Sequence, residues 1–376
     1  MVAALTGFPP ALIRRLVVKI GSALLVAPDG TIRADWLAGV VDDIAARHAA
    51  GQQIIVVSSG AIALGARRLH LPKGGRGSLD DAQASAAVGQ IALSHHWAGL
   101  LAARGMTAAQ MLLTLDDLEH RRRYLNAAAT LERLLSLGVV PVINENDSVA
   151  TTEIRFGDND RLAARIGQAA QADAVALLSD VDGLYTANPH IDPEARLVRE
   201  VKRIDAAIVA MADGGSGSGM GSGGMASKIE AARIATGAGA HLAILSGKPM
   251  RPLSAWEQGA NGTIFLARTG QRARKTWLAG RLVVKGRIVV DAGAEAALLK
   301  GNSLLPAGVT EVSGQFARGD VVDIIGPEGR AIARGLVEYD GADALLVAGK
   351  RKEEIAALLG TPVRPALVHR DHLVML

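Results

Sequence analysis

A chain of 376 residues exceeds one ordinary domain, and 49% hydrophobic residues against 21% charged supply enough apolar material for two or three cores. The absence of cysteine excludes disulfides, thiolate metal sites and cysteine nucleophiles together. The net charge of +4 lies in one short stretch, Arg268 to Lys275, so neither large region is broadly cationic and bulk charge gives nucleic-acid binding little support.

The N-terminus lacks a basic segment followed by a long apolar one, and no apolar run reaches the roughly 18 residues a membrane span needs. A cytoplasmic protein is therefore expected. Along the chain, Leu16–Gly21 reads as a strand and Ala34–Ala50 as a helix ending at Gly51. Gln53–Gly60 is a second strand opening into a small-residue turn. Asp80–Arg104 is a long helical stretch, Met106–Thr114 a strand, Leu118–Leu137 a helix and Val139–Asn144 a strand. Ala174–Asp180 and His241–Gly247 complete the series. Continuous apolar strands separated by helices predict a mainly parallel sheet covered on both faces, a three-layer αβα sandwich. Ligands of such sheets bind beyond the carboxyl ends of the strands. Polar clusters fall there, at Ser58-Ser59-Gly60, Asn144–Asp147 and Ser179-Asp180.

Past Arg268 the texture changes to short β-like runs divided by Gly, Asp and Pro, with helical pieces at Ala292–Lys300 and Glu353–Leu359. This predicts a small, mainly antiparallel β domain over residues 277–376, joined by a basic linker at 268–276 to a first domain of residues 1–267. Thr276–Leu376 carries twelve Lys/Arg against twelve Asp/Glu, which argues against phosphate-driven RNA binding by that domain.

Four features bear on phosphoryl transfer. Lys19 stands just before Gly21-Ser22, whose backbone amides can cradle a phosphate; the alternative is a solvent-facing strand-end lysine. The glycine-rich run Gly214–Gly224 leads into Met225-Ala226-Ser227-Lys228 at a helix start, where free amides and a lysine favour an anion. Taken alone that run reads equally as a flexible linker. No G-x-x-x-x-G-K-[ST] occurs, which excludes a P-loop. Asn144-Glu145-Asn146-Asp147 and Gly157-Asp158-Asn159-Asp160 are dense polar clusters near strand ends, suited to an amino acid's ammonium and carboxylate or to a metal-bound phosphate, and equally to solvated turns. Ser179-Asp180 follows a buried strand, with an N-capped βα turn as the alternative.

The segments VVKIGSALL, VVSSGAIALG, AAVGQ, QMLLT, PVINENDSVAT, FGDNDRLAA, LLSDVDGLYTANP and GSGGMASKIEAA resemble, in order, those of the amino-acid kinase family, most closely its glutamate 5-kinase branch. The C-terminal part resembles a PUA domain. The resemblance implies ATP-dependent phosphorylation of L-glutamate on its side-chain carboxylate, with Mg²⁺, in the first step of proline synthesis. Lys19 and Lys228 would contact the transferring phosphate, with Asp160 holding them in position. Ser59, Asp147, Asn159 and Asp158 would bind glutamate. Ser179, Asp180, Ser222, Gly223, Gly224, Met225, Ala226, Ser227 and Lys228, with Lys19, would bind ATP. No protein metal ligand is implied, because the nucleotide and water would hold the Mg²⁺. Feedback inhibition by proline and assembly as a homo-oligomer are further implications. A sister kinase acting on aspartate, N-acetylglutamate, carbamate or UMP would share the fold and the ATP site.

Overall fold

The computed structural model describes residues 5–149, 158–213, 224–267, 284–359 and 366–376. The chain divides into two compact units, residues 1–119 with 126–268, and residues 120–125 with 269–376.

The first unit is built on an eight-stranded sheet ordered β3-β4-β2-β1-β5-β9-β10-β8. Its strands are β1 (Arg15–Ile20), β2 (Gln53–Ser58), β3 (Ala108–Leu113), β4 (Val140–Glu145), β5 (Ala174–Ser179), β8 (Glu200–Val201), β9 (His241–Ser246) and β10 (Gly262–Phe265). A separate small ladder joins β6 (Leu184–Tyr185) to β7 (Leu197–Val198). Leu16, Val17, Val18 and Ile20 of β1 are all fully buried, as a strand covered on both faces requires. The helices that cover the sheet include α1 (Ala34–Ala49) and α3 (Leu79–Ala102), which pack together, and α5 (Asp158–Ala169) and α6 (Met225–Gly237), which also pack together. Between them in sequence come α2 (Ala61–Arg68) and α4 (Arg121–Ser136). The result is the three-layer αβα sandwich that the apolar strands predict. Within this mainly parallel sheet β10 runs antiparallel to β9, a pairing that a short apolar run does not reveal.

The central strands are in register at their carboxyl ends. Ile20 of β1 lies opposite Ser58 of β2 and Leu178 of β5, and Ser179 of β5 lies opposite Ser246 of β9. The next residues, Gly21, Ser59 and Ser179, therefore come level at the carboxyl edge, with Asp180 one residue beyond. At Gly60 the chain adopts φ +107°, and a Cβ there would stand 3.0 Å from Val26 Cγ2, so only glycine makes the turn into α2 without strain.

The second unit holds a five-stranded sheet ordered β12-β11-β13-β14-β15, made of β11 (Val284–Val290), β12 (Val309–Gly314), β13 (Val321–Ile325), β14 (Ala331–Val337) and β15 (Val368–Met375). It is mainly antiparallel as expected, except that β11 pairs parallel with β13. Helices at Ala292–Leu299 and Lys352–Leu359 match the predicted pieces, and a further helix, Gly341–Val347, closes against the same core through Ala344 and Val347. Among the described residues no helix is long and apolar enough to cross a membrane.

Candidate active site

The first buried charges of the site come from three separate elements. Lys19 projects from β1, Lys228 from the first turn of α6 and Asp160 from the first turn of α5. Lys19 Nζ lies 2.5 Å from Asp160 Oδ1, and Lys228 Nζ donates to Asp160 Oδ2 at 3.2 Å. Asp160 is fully buried, and Lys19 and Lys228 are only 6% and 4% exposed. Burial pushes the Asp160 carboxyl up, but the charges and hydrogen bonds of the two lysines outweigh it and leave the pKa below its ordinary value. One carboxylate thus stands between two ammonium groups, a buried cluster with a surplus positive charge. Lys19 is not the solvent-facing lysine that its strand-end position allowed.

Beside this cluster lies the start of a helix that no side chain caps. Helix α6 begins at Gly224, where no side chain supplies a cap and no acid occupies the first turn. Its N-terminal end, adjoining Lys228, has the polarity that attracts a phosphate. Gly224 and Ala226 are exposed, while Met225 and Ser227 are half-buried. Ser222 and Gly223 lie outside the described residues, as do Gly157 and the side chain of Asp158. Ser179 is buried and donates to the exposed Asp180 at 2.9 Å, while its carbonyl accepts from the Gly247 amide at 2.7 Å.

The polar clusters meet on the other side of β1. Asn159 Nδ2 donates to Ser59 Oγ at 2.6 Å and faces Asn144 Oδ1 at 3.5 Å. Asn144, 2% exposed, donates in turn to Gln90 Oε1 at 2.8 Å. Asn159 Oδ1 is buried without a hydrogen-bond partner, an unused acceptor in a place where an unused acceptor is costly. Asp147, 9% exposed, lies past the end of β4 within electrostatic reach of Arg76. So Asn144 and Asp147 are buried where a solvated turn would leave them exposed, whereas Asn146 lies half-buried. Gln90 and Arg76 belong to this neighbourhood without having been singled out as site residues from the sequence, whereas Asn144 stood in the first polar cluster. The signal for Gln90 was present in AAVGQ, a motif with no chemistry attached to it.

Among the described residues no group of three His, Asp or Glu is arranged to hold a metal ion.

A family profile for the amino acid kinase family matches residues 14–246, and a PUA domain profile matches residues 286–359. The chain is 66% identical over 369 residues to glutamate 5-kinase of Sphingopyxis alaskensis, covering 98% of this chain and 99% of that protein. It is 63% identical to glutamate 5-kinase of Zymomonas mobilis, covering 98% of this chain and 93% of the relative. The protein of the same name from Novosphingobium aromaticivorans is 61% identical, with 96% of each covered. The buried lysine–aspartate–lysine cluster at the carboxyl edge of the sheet lies within the matched span, and the chain belongs to the amino acid kinase family, with a PUA domain following the kinase domain.

Proposed function

We propose that this protein transfers the γ-phosphoryl group of ATP to the side-chain carboxylate of L-glutamate, giving L-glutamyl 5-phosphate and ADP as the first step of proline synthesis. The observation that carries the reading is the sharing of buried Asp160 by Lys19 and Lys228, in a chain whose close relatives bear the name glutamate 5-kinase.

A glutamate side chain, with a pKa of about 4.3, is already ionised at neutral pH, so the nucleophile needs no general base. The obstacle is bringing an anion against a negatively charged phosphate. Two lysines and the amides at the start of α6 offset that repulsion as charge spreads over the group in flight. Asp160 meanwhile keeps two like charges from separating before the nucleotide arrives. In this reading Lys19 and Lys228 act on the transferring phosphoryl group and Asp160 positions them. Ser59, Asp147, Asn159 and Asp158 hold glutamate, and Ser179, Asp180 and residues 222–228 hold ATP. Mg²⁺ would be held by the nucleotide's phosphates and water, and would offset part of their charge. A cytoplasmic location, homo-oligomeric assembly and inhibition by proline complete the proposal, each implied by the family resemblance.

The test is glutamate-dependent ADP release with hydroxylamine present to trap an acyl phosphate. A hydroxamate formed from glutamate, and not from aspartate, N-acetylglutamate or carbamate, supports the assignment. ADP release with one of those acceptors or with UMP, and none with glutamate, overturns it in favour of a sister kinase.

A further inference from the structure

Ala86-Ala87-Val88-Gly89-Gln90 lies within α3, outside the strands and loops that carry the lysines. Gly89 exists there for closeness. A Cβ at Gly89 would stand 1.8 Å from the Ala61 carbonyl oxygen, and one at Gly65 would stand 1.8 Å from that of Ser85. Helices α2 and α3 therefore touch backbone to backbone. The helix that follows Ser59-Gly60 and the helix that carries Gln90 are held as one piece.

The hydrogen bonds beyond Gln90 have a direction that can be worked out. The backbone N–H of Glu145 can only donate, so the Asn144 atom 2.9 Å away is its carbonyl oxygen. Asn144 Nδ2 then faces Gln90 at 2.8 Å, and the Gln90 atom that meets it has to be an acceptor, Oε1. Gln90 Nε2 is satisfied by Ser94 Oγ at 3.2 Å. Because Asn144 turns its oxygen toward Asn159, Asn159 turns its amide nitrogen back, at 3.5 Å, and the same nitrogen donates to Ser59 Oγ at 2.6 Å. Two consequences follow. Asn159 Oδ1 is left as the buried acceptor without a partner, and the Ser59 hydroxyl, which accepts from Asn159 on one of its two lone pairs, keeps its proton to donate.

We propose that Gln90 is a positioning residue for the amino-acid substrate, acting through Asn144 to set the amide of Asn159 so that its oxygen receives an ammonium group while Ser59 donates to a carboxylate oxygen. This rests on the glutamate reading above and extends it to the polarity of the acceptor site. Gln90 touches no reacting atom. Its effect belongs to glutamate binding, not to the phosphoryl step or to the nucleotide.

Gln90→Met keeps length and volume and removes the acceptor. It is expected to raise the KM for glutamate by about five- to tenfold, the range of one lost hydrogen bond, with the KM for ATP and kcat each within about twofold of wild type. Asn144→Ala and the double variant Gln90→Met with Asn144→Ala complete a cycle, in which the double variant is no worse for glutamate than Asn144→Ala alone. Gln90→Glu, which retains an oxygen facing Asn144, is expected to have a lower glutamate KM than Gln90→Met, and serves where the methionine variant fails to fold. An unchanged glutamate KM in Gln90→Met overturns the role, as does a parallel rise in the KM values for glutamate and ATP with a lowered melting midpoint, or strict additivity in the cycle. Wild-type protein that is inactive on glutamate overturns the activity and this role together, whereas active wild type with an indifferent Gln90→Met overturns this role alone.

Discussion

At the scale of single residues, the chemistry is concentrated in charges that are costly to bury and are buried nonetheless. Removing the carboxylate of Asp160 leaves Lys19 and Lys228 facing each other in an apolar setting. Asp160→Asn is expected to lose about 3–5 kcal/mol of unfolding free energy, the usual cost of orphaning a buried ion. Because the folded-state pKa of Asp160 is depressed, its contribution is complete above the unfolded value and is lost as the pH falls through the lower folded one. The gap between wild type and Asp160→Asn in denaturant unfolding should accordingly be full at neutral pH and narrow once the pH drops below about 4. Persistence of the whole gap in acid would mean that the aspartate's charge is not what stabilises the cluster. Lys228→Ala removes one of the two cations and is expected to lower kcat by about a hundredfold or more, with a smaller change in the KM for glutamate. Steady-state kinetics check it, and unaltered turnover would remove Lys228 from the phosphoryl step.

At the scale of elements, two helices owe their contact to missing side chains. Gly89 and Gly99 sit on the same helix, yet a Cβ at Gly89 collides with backbone atoms of α2 while one at Gly99 meets nothing within 4 Å. Gly89→Ala is therefore expected to destabilise by about 1–3 kcal/mol or more, through forced separation of α2 from α3. Gly99→Ala is expected to stabilise by about 0.5–1 kcal/mol, because helical alanine loses less chain entropy than glycine. Thermal melts of the two variants move in opposite directions if the approach is as tight as drawn, and matching shifts would refute it. Helix α3 shows how unevenly such features can be read. Its span was legible as the long helical stretch Asp80–Arg104, and in the structure the Ser78 side chain caps its start by accepting from the Asp81 amide. That its two glycines play opposite parts was not legible, since the difference depends on what another helix places beside them.

At the scale of the whole molecule, each unit has a core of its own, one lined by residues from Leu5 to Leu266 and the other by residues from Ile288 to Leu373. Ligands of the kinase unit should then stabilise that unit in particular. ATP and glutamate, each at about a hundred times its dissociation constant, are expected to add about 2.7 kcal/mol apiece to its unfolding free energy. Hydrogen exchange should show this as slower exchange in β1, α5 and the start of α6, with the five-stranded sheet of the second unit unchanged, and protection confined to that sheet would contradict the placement of the site. Sequence alone determined the parallel sandwich, because strands covered on both faces must be apolar throughout, as Val17 and Val18 are. It also determined the break in texture after Arg268 and the identity of the charged residues near the strand ends. Only the tertiary structure decided that Asp160 lies between Lys19 and Lys228, that Asn144 turns its oxygen toward Asn159, and that Gln90 belongs beside them. Periodicity records which face of an element is buried. Which polar atoms meet depends on strand order and helix approach, and these are settled by backbone contacts between residues distant in the chain.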